Sequence, residues 1–126
     1  MDTINQILQK TQQGEDFYLL LGDFLDEFYG ASNEKKILMI TEKPTDSALN
    51  TSTEYLCFAA ATTHKLANDY QLAVPDWVFD KRFYMKEKPF FACGARGNLR
   101  LLFMYKAPAE FKHRNMFVDE NVLKRV

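Results

Sequence analysis

A chain of 126 residues, 47% hydrophobic and 14% aromatic, holds enough apolar material for one packed domain, 1–126, that needs neither metal nor disulfides to fold. The net charge of −1 divides unevenly: residues 1–60 carry 4 basic and 10 acidic side chains, residues 61–126 carry 12 basic and 7 acidic. The longest apolar runs, "FYLLL" and "LLFMY", fall well short of the ~18 residues of a membrane span, and "MDTINQILQKTQQ" lacks a secretory pattern, so a cytoplasmic protein with no membrane partner is expected.

The first half is periodic. Thr3 stands before Ile4, Ile7 and Leu8, whose spacing predicts a short helix over 4–12 ending near Gly14. Phe17, Leu20, Leu21, Phe24, Leu25 and Phe28 form one continuous helical stripe, and Gly30 stands where a left-handed C-cap is expected. On its outer side Asp16, Asp23, Asp26 and Glu27 read as a solvated face, since no histidine accompanies them. Ser32 or Asn33 can cap a third helix, "EKKILMITEK", that Pro44 stops. In "TSTEYLCFAAATTHKLANDYQL" the Thr51-x-x-Glu54 spacing predicts a capping box. Tyr55, Phe58, Ala59, Thr62 and Leu66 set the stripe of a helix apolar on most sides, which belongs at the centre of a bundle.

The second half loses this period. "LAVPDWVFDKRFYMKEKPFFACGARGN" reads as an ordered, irregular excursion whose aromatics must be buried. "NLRLLFMYK" matches both a helix and a strand; its Arg, Leu and Met favour helix. Pro108 suits the first turn of "PAEFKHR", and Asp119 can cap a last turn or two. The fold class expected is therefore mainly α, a single-domain helical bundle with an irregular, aromatic-rich C-terminal half.

Chemistry-bearing motifs are few. Cys57 and Cys93 lack the spacing of a disulfide framework or zinc site and read as reduced thiols, Cys57 buried. Cys57 and His64 lie two helical turns apart, so a thiol site with Asp69 is conceivable, but a buried thiol beside a boundary histidine is the ordinary explanation. His113 lies in "KHRN" between two cations, as surface or interface histidines often do. "GARGN" lacks the Walker lysine and reads as a turn whose Arg96 can touch an anion. No catalytic residue, metal ligand or cofactor is assigned. Lys81, Arg82, Lys86, Lys88, Arg96, Arg100, Lys106, Lys112, Arg114, Lys124 and Arg125 alternate with Phe83, Tyr84, Phe90, Phe91, Tyr105 and Phe111. Nucleic acid is thus a possible partner, although no recognition-helix, RRM or zinc-finger pattern is present.

"VPDWVFDKRFYMKEKPFF", "NLRLLFMYKAPAEFKHRNMFV" and "VLKRV" together resemble the C-terminal part of a group of small bacterial proteins. The shared pattern is Pro-x-Trp, an aromatic-rich stretch, Leu-Arg, Pro-x-x-Phe, an Arg-Asn turn and a terminal Leu-x-Arg-Val. Pro75, Trp77, Arg100, Pro108, Phe111, Arg114, Phe117, Leu123 and Arg125 carry it, over roughly residues 54–126. Some members of such families are partnered with nucleotidyltransferase-like toxins, so the resemblance implies an antitoxin or regulatory partner. The expectation is a noncatalytic protein that binds another protein or itself. Trp77, Pro75, Pro108, Phe111 and Phe117 would anchor the tail on the helical core. Arg100, Arg114, Arg125, Lys112 and His113 are the interaction candidates, the arginines pairing with carboxylates of the acidic half or with backbone carbonyls.

Overall fold

The computed structural model describes residues 2–125, apart from the side chain of Cys93; the expected second thiol and the terminal Val126 lie outside the described residues. The chain is a mainly α single domain of six helices around one hydrophobic core.

Helix α1 (Ile4–Gln12) starts in a capping box: Thr3 Oγ1 accepts from the Gln6 N–H while Gln6 Oε1 accepts from the Thr3 N–H at 2.8 Å. Helix α2 (Phe17–Tyr29) is capped by Asp16, which accepts from the N–H groups of Tyr18 and Leu19. It buries Phe17, Leu21, Phe24, Leu25 and Phe28, the predicted stripe.

Gly30 does not take the expected left-handed cap; its φ is −92°. The link to α3 closes in right-handed geometry instead, and the Ala31 carbonyl accepts from Lys36 Nζ at 2.8 Å. Lys36 is itself buried, its ammonium 4.8 Å from the centre of the Tyr70 ring.

Helix α3 (Asn33–Thr41) is capped by Ser32 and stops before the expected Lys43. Glu42 turns extended there, and its carboxylate accepts from Thr3 Oγ1 and Asn5 Nδ2 at 2.9 and 3.1 Å, tying the end of α3 to the start of α1.

Helix α4 (Thr53–Asp69) is the centre of the bundle, with Ala59, Ala60 and Ala61 fully buried where its neighbours approach closely. The capping box expected from Thr51 and Glu54 is absent: Ser52 is the N-cap and makes no side-chain bond. Both predicted members serve tertiary contacts. Thr51 Oγ1 donates to the Leu8 carbonyl at 3.1 Å, and Glu54 accepts from the Tyr18 hydroxyl at 3.0 Å.

The second half wraps this helix in irregular backbone. Turns of 3-10 helix at Asp76–Phe79, Lys81–Phe83 and Ala92–Gly94 alternate with extended chain. Strand β1 (Phe90–Phe91) pairs in parallel with β2 (Met116–Phe117), Phe90 opposite Met116 and Phe91 opposite Phe117. Between them lie α5 (Asn98–Lys106) and α6 (Ala109–His113), so the ambiguous stretch 98–106 is helix; Pro108 is the N-cap of α6 rather than part of its first turn. Asp119 accepts from the Asn121 N–H at 2.7 Å, but only a turn follows, without the expected closing helix. Leu123 is buried, and its carbonyl accepts from the Tyr29 hydroxyl at 2.7 Å, which fixes the chain end on α2.

Candidate functional site: the basic half and its exposed helix

The anchors predicted from sequence differ in depth. Trp77 and Phe111 are buried, and the Trp77 indole N–H donates to the Ile40 carbonyl at 3.2 Å, which holds the excursion on α3. Phe117 is only half-buried and stacks on Phe91 with ring centres 5.1 Å apart. Pro75 and Pro108 are half-buried starts of the turn 76–79 and of α6. Of the excursion's aromatics, all expected to be buried, Trp77 and Phe83 are, Tyr84, Phe90 and Phe91 are half-buried, and Phe79 is 51% exposed.

The three arginines have separate tasks. Arg114 is fully buried, with no carboxylate bonded to it among the described residues. Its Nη2 donates to the Val78 carbonyl at 2.8 Å, and its Nη1 to the Glu110 carbonyl at 3.0 Å and to His64 Nδ1 at 3.2 Å. The Nε has no partner among the described residues, and the guanidinium carbon lies 4.9 Å from the centre of the Tyr84 ring. Burial pulls its pKa down, but an arginine retains its charge.

Because a guanidinium only donates, His64 must accept at Nδ1 and is therefore neutral with its proton on Nε2. Burial first, and the Arg114 charge second, hold the His64 pKa below its usual value. Arg100 Nε donates to the Ala95 carbonyl at 3.0 Å, and its guanidinium covers the Phe91 ring at 4.2 Å. Arg125 clasps Asp26 through two bonds of 3.0 and 3.3 Å, the fork-to-fork geometry of an arginine–carboxylate pair. Lys112 Nζ donates to the Tyr105 carbonyl at 3.1 Å, and the exposed His113 stands edge-on to Tyr84.

The thiol arrangement does not assemble. Burial pushes Cys57 up to about 12, opposite to what a nucleophile needs, and Asp69 is bonded to Lys65 at 2.9 Å rather than to His64. The "GARGN" stretch is a turn, with Gly94 and Gly97 at φ of +61° and +58°. Among the described residues no three His, Cys, Asp or Glu side chains gather as metal ligands, and no helix is long and apolar enough to cross a membrane.

Arg125–Asp26 is the single ion pair between the acidic and basic halves among the described residues; the other five stay within one half. The halves therefore do little to neutralise each other by direct pairing.

Helix α5 was missed as a site by sequence reasoning. Phe103 faces inward, but Leu99, Leu101, Leu102, Met104 and Tyr105 are 42, 65, 46, 46 and 79% exposed. At 100° per residue Leu101, Leu102 and Tyr105 form the outer stripe, flanked by Leu99 and Met104. Together they leave on the order of 500 Å² of apolar surface uncovered, near the upper end of the largest patch usual on a monomer. The signal was present in the sequence: "NLRLLFMYK" is apolar on most sides, whereas only one side of a peripheral helix can meet the core.

Comparison with protein-family models, with curated proteins and with solved structures finds no match for this chain.

Proposed function

We propose that this protein is a noncatalytic interaction module of the cytoplasm, such as an antitoxin or regulatory partner, and that it docks another protein through the outer stripe of α5. The observation that carries this reading is the uncovered apolar helix. Leu101, Leu102 and Tyr105 cost free energy in water that burial against a partner returns, about 25 cal/mol for each Å² covered.

The occupant that fits is an acidic amphipathic helix of a different protein. Helix α5 carries no acid but holds Arg100, which has no carboxylate partner among the described residues, and Lys106, paired with Glu120 at 3.7 Å; the exposed Arg96 and Lys112 lie before and after it in the chain. A second copy would bring like charges together on the same stripe. A cytoplasmic setting agrees with the free, buried Cys57 thiol.

The alternative, a nucleic-acid-binding regulator using the basic half, is weakened by the work its arginines already do. Arg114 is inside, Arg125 is on Asp26, and Arg100 lies on Phe91.

The test is co-purification from the native host with nuclease present, for the parent chain and for a Leu101→Lys, Tyr105→Lys variant. One stoichiometric protein, cross-linked to α5 through an acidic segment and lost in the variant, is the expected outcome. A partner retained by the variant refutes docking at α5, and a homodimer in light scattering makes the second copy the occupant.

A further inference from the structure

A groove of about 620 Å³ opens between the start of α4 and the segment 81–88, on residues the docking proposal does not use. Its floor is Leu49, Leu56 and Met85, with Tyr84 in the wall; its rim carries Lys81, Arg82, Lys86 and Lys88, with Glu87 the one acid. We propose that this groove binds a small, multiply charged phosphate ester with a planar or apolar body, such as a nucleoside di- or triphosphate.

Size and charge together support this ligand. The volume lies within the ~300–1,000 Å³ of small-molecule sites, which are typically apolar inside with a few polar groups that fix orientation. Arg82 is occupied by Asp80, but Lys81, Lys86 and Lys88 form no ion pair among the described residues. Three ammonium groups line one concavity against Glu87, with Asp80 spent on Arg82 and Asp46 near enough to act on that arginine; the positive charge left over favours an anion of more than one charge.

Two features behind the lysines add to the field. Thr51 and Thr53 place the N-terminal end of the 17-residue α4 in the wall, its field partly offset by Glu54, which turns away to the Tyr18 hydroxyl. Behind Tyr84 lies the buried Arg114 charge, bonded to no carboxylate among the described residues and in a region that screens poorly.

A nucleic-acid strand fits less well. Strand binding needs cations spread along a track, whereas Arg100, Arg114 and Arg125 are engaged internally and the free lysines are gathered on eight consecutive residues.

Trp77 supplies the readout. It is the only tryptophan, and its ring packs edge-on to Phe83, 5.3 Å away in the turn that leads into the groove. The full chain is titrated with ATP, ADP, AMP, adenosine, inorganic phosphate and a short single-stranded oligonucleotide, followed by calorimetry and Trp77 fluorescence. Saturable binding at one site is expected, strengthening from AMP to ATP, absent for adenosine and weakening with salt.

Lys86→Glu with Lys88→Glu should lower ATP affinity roughly tenfold or more, the cost of losing charge-assisted contacts. Lys124→Glu, away from the groove lining and from α5, should bind as the parent does. Lys86, Lys88 and Lys124 are exposed and form no ion pair among the described residues, so the melting curves should stay together. The proposal is overturned by no saturable signal at millimolar concentration of any phosphate probe, by an equal loss in Lys124→Glu, or by an oligonucleotide that binds far more tightly than ATP.

Discussion

Arg114 provides the most discriminating test of how the second half is held. Arg114→Lys keeps a buried cation but replaces a two-nitrogen fork by one nitrogen, which cannot stand both where Nη1 meets the Glu110 carbonyl and His64 Nδ1 and where Nη2 meets the Val78 carbonyl. Buried hydrogen bonds to a charged donor are worth about 1.5–3 kcal/mol each, so losing one or two of the three costs roughly 2–6 kcal/mol. Set against a total stability of about 5–15 kcal/mol, this is a large fraction.

Arg114→Met fills a similar volume and removes the cost of burying a charge that no carboxylate compensates. It leaves mainly the Val78 carbonyl without a partner, for a net loss of about 1–3 kcal/mol. Urea unfolding followed by far-ultraviolet circular dichroism should therefore rank the parent above Met and Met above Lys. With a slope of about 1.5–2 kcal/mol per molar urea, the midpoint of the Lys variant falls by roughly 2 M. A Lys variant as stable as the parent, or more stable than Met, would refute the claim that the fork geometry, and not the charge alone, holds this site.

Three further outcomes follow from the same contacts. His64 has a folded-state pKa below the usual 6.5, so the unfolded chain takes up its proton first. Stability should be level above that pH and decline as pH falls from 6.5 through the folded value, by at most about 1.4 kcal/mol per unit. His64→Gln should flatten this decline, leaving the loss nearer pH 4 and below that reflects the Glu110 carboxylate, itself held below its usual value. Gly22→Ala should raise stability by up to about 0.5–1 kcal/mol, because the three atoms nearest the new Cβ all belong to the exposed Arg125 guanidinium, 3.2–3.3 Å away, and the exposed pair with Asp26 that its shift strains is worth little; a fall in the thermal midpoint would count against it. Trp77→Phe removes the bond to the Ile40 carbonyl and part of a buried ring, at a cost of about 1–3 kcal/mol, measured by circular dichroism because the variant has no tryptophan.

Where local periodicity met a single core, the sequence was sufficient. Helices α1 and α2, the central position of α4 and the irregular character of 72–98 were legible, since a 3.6-residue apolar stripe or its absence is a local property. End details were not. Thr51 and Glu54 spell a capping box, but Leu8 and Tyr18, more than thirty residues away, take their side chains; Gly30 permits a left-handed cap that the Lys36–Ala31 bond makes unnecessary.

The candidate sites were less legible still. Sequence placed Arg100, Arg114 and Arg125 in one class, and composition cannot separate them. Whether a guanidinium lies inside on carbonyls, over a ring or on a distant aspartate depends on which backbone passes beside it. In the same way the apolar residues of α5 were plain in the sequence, and only tertiary structure showed that Phe103 alone among them is buried. Residue type sets what a side chain can bond to or exclude from water. The long-range path of the chain decides which of those possibilities is met inside the fold and which is left on the surface for a partner.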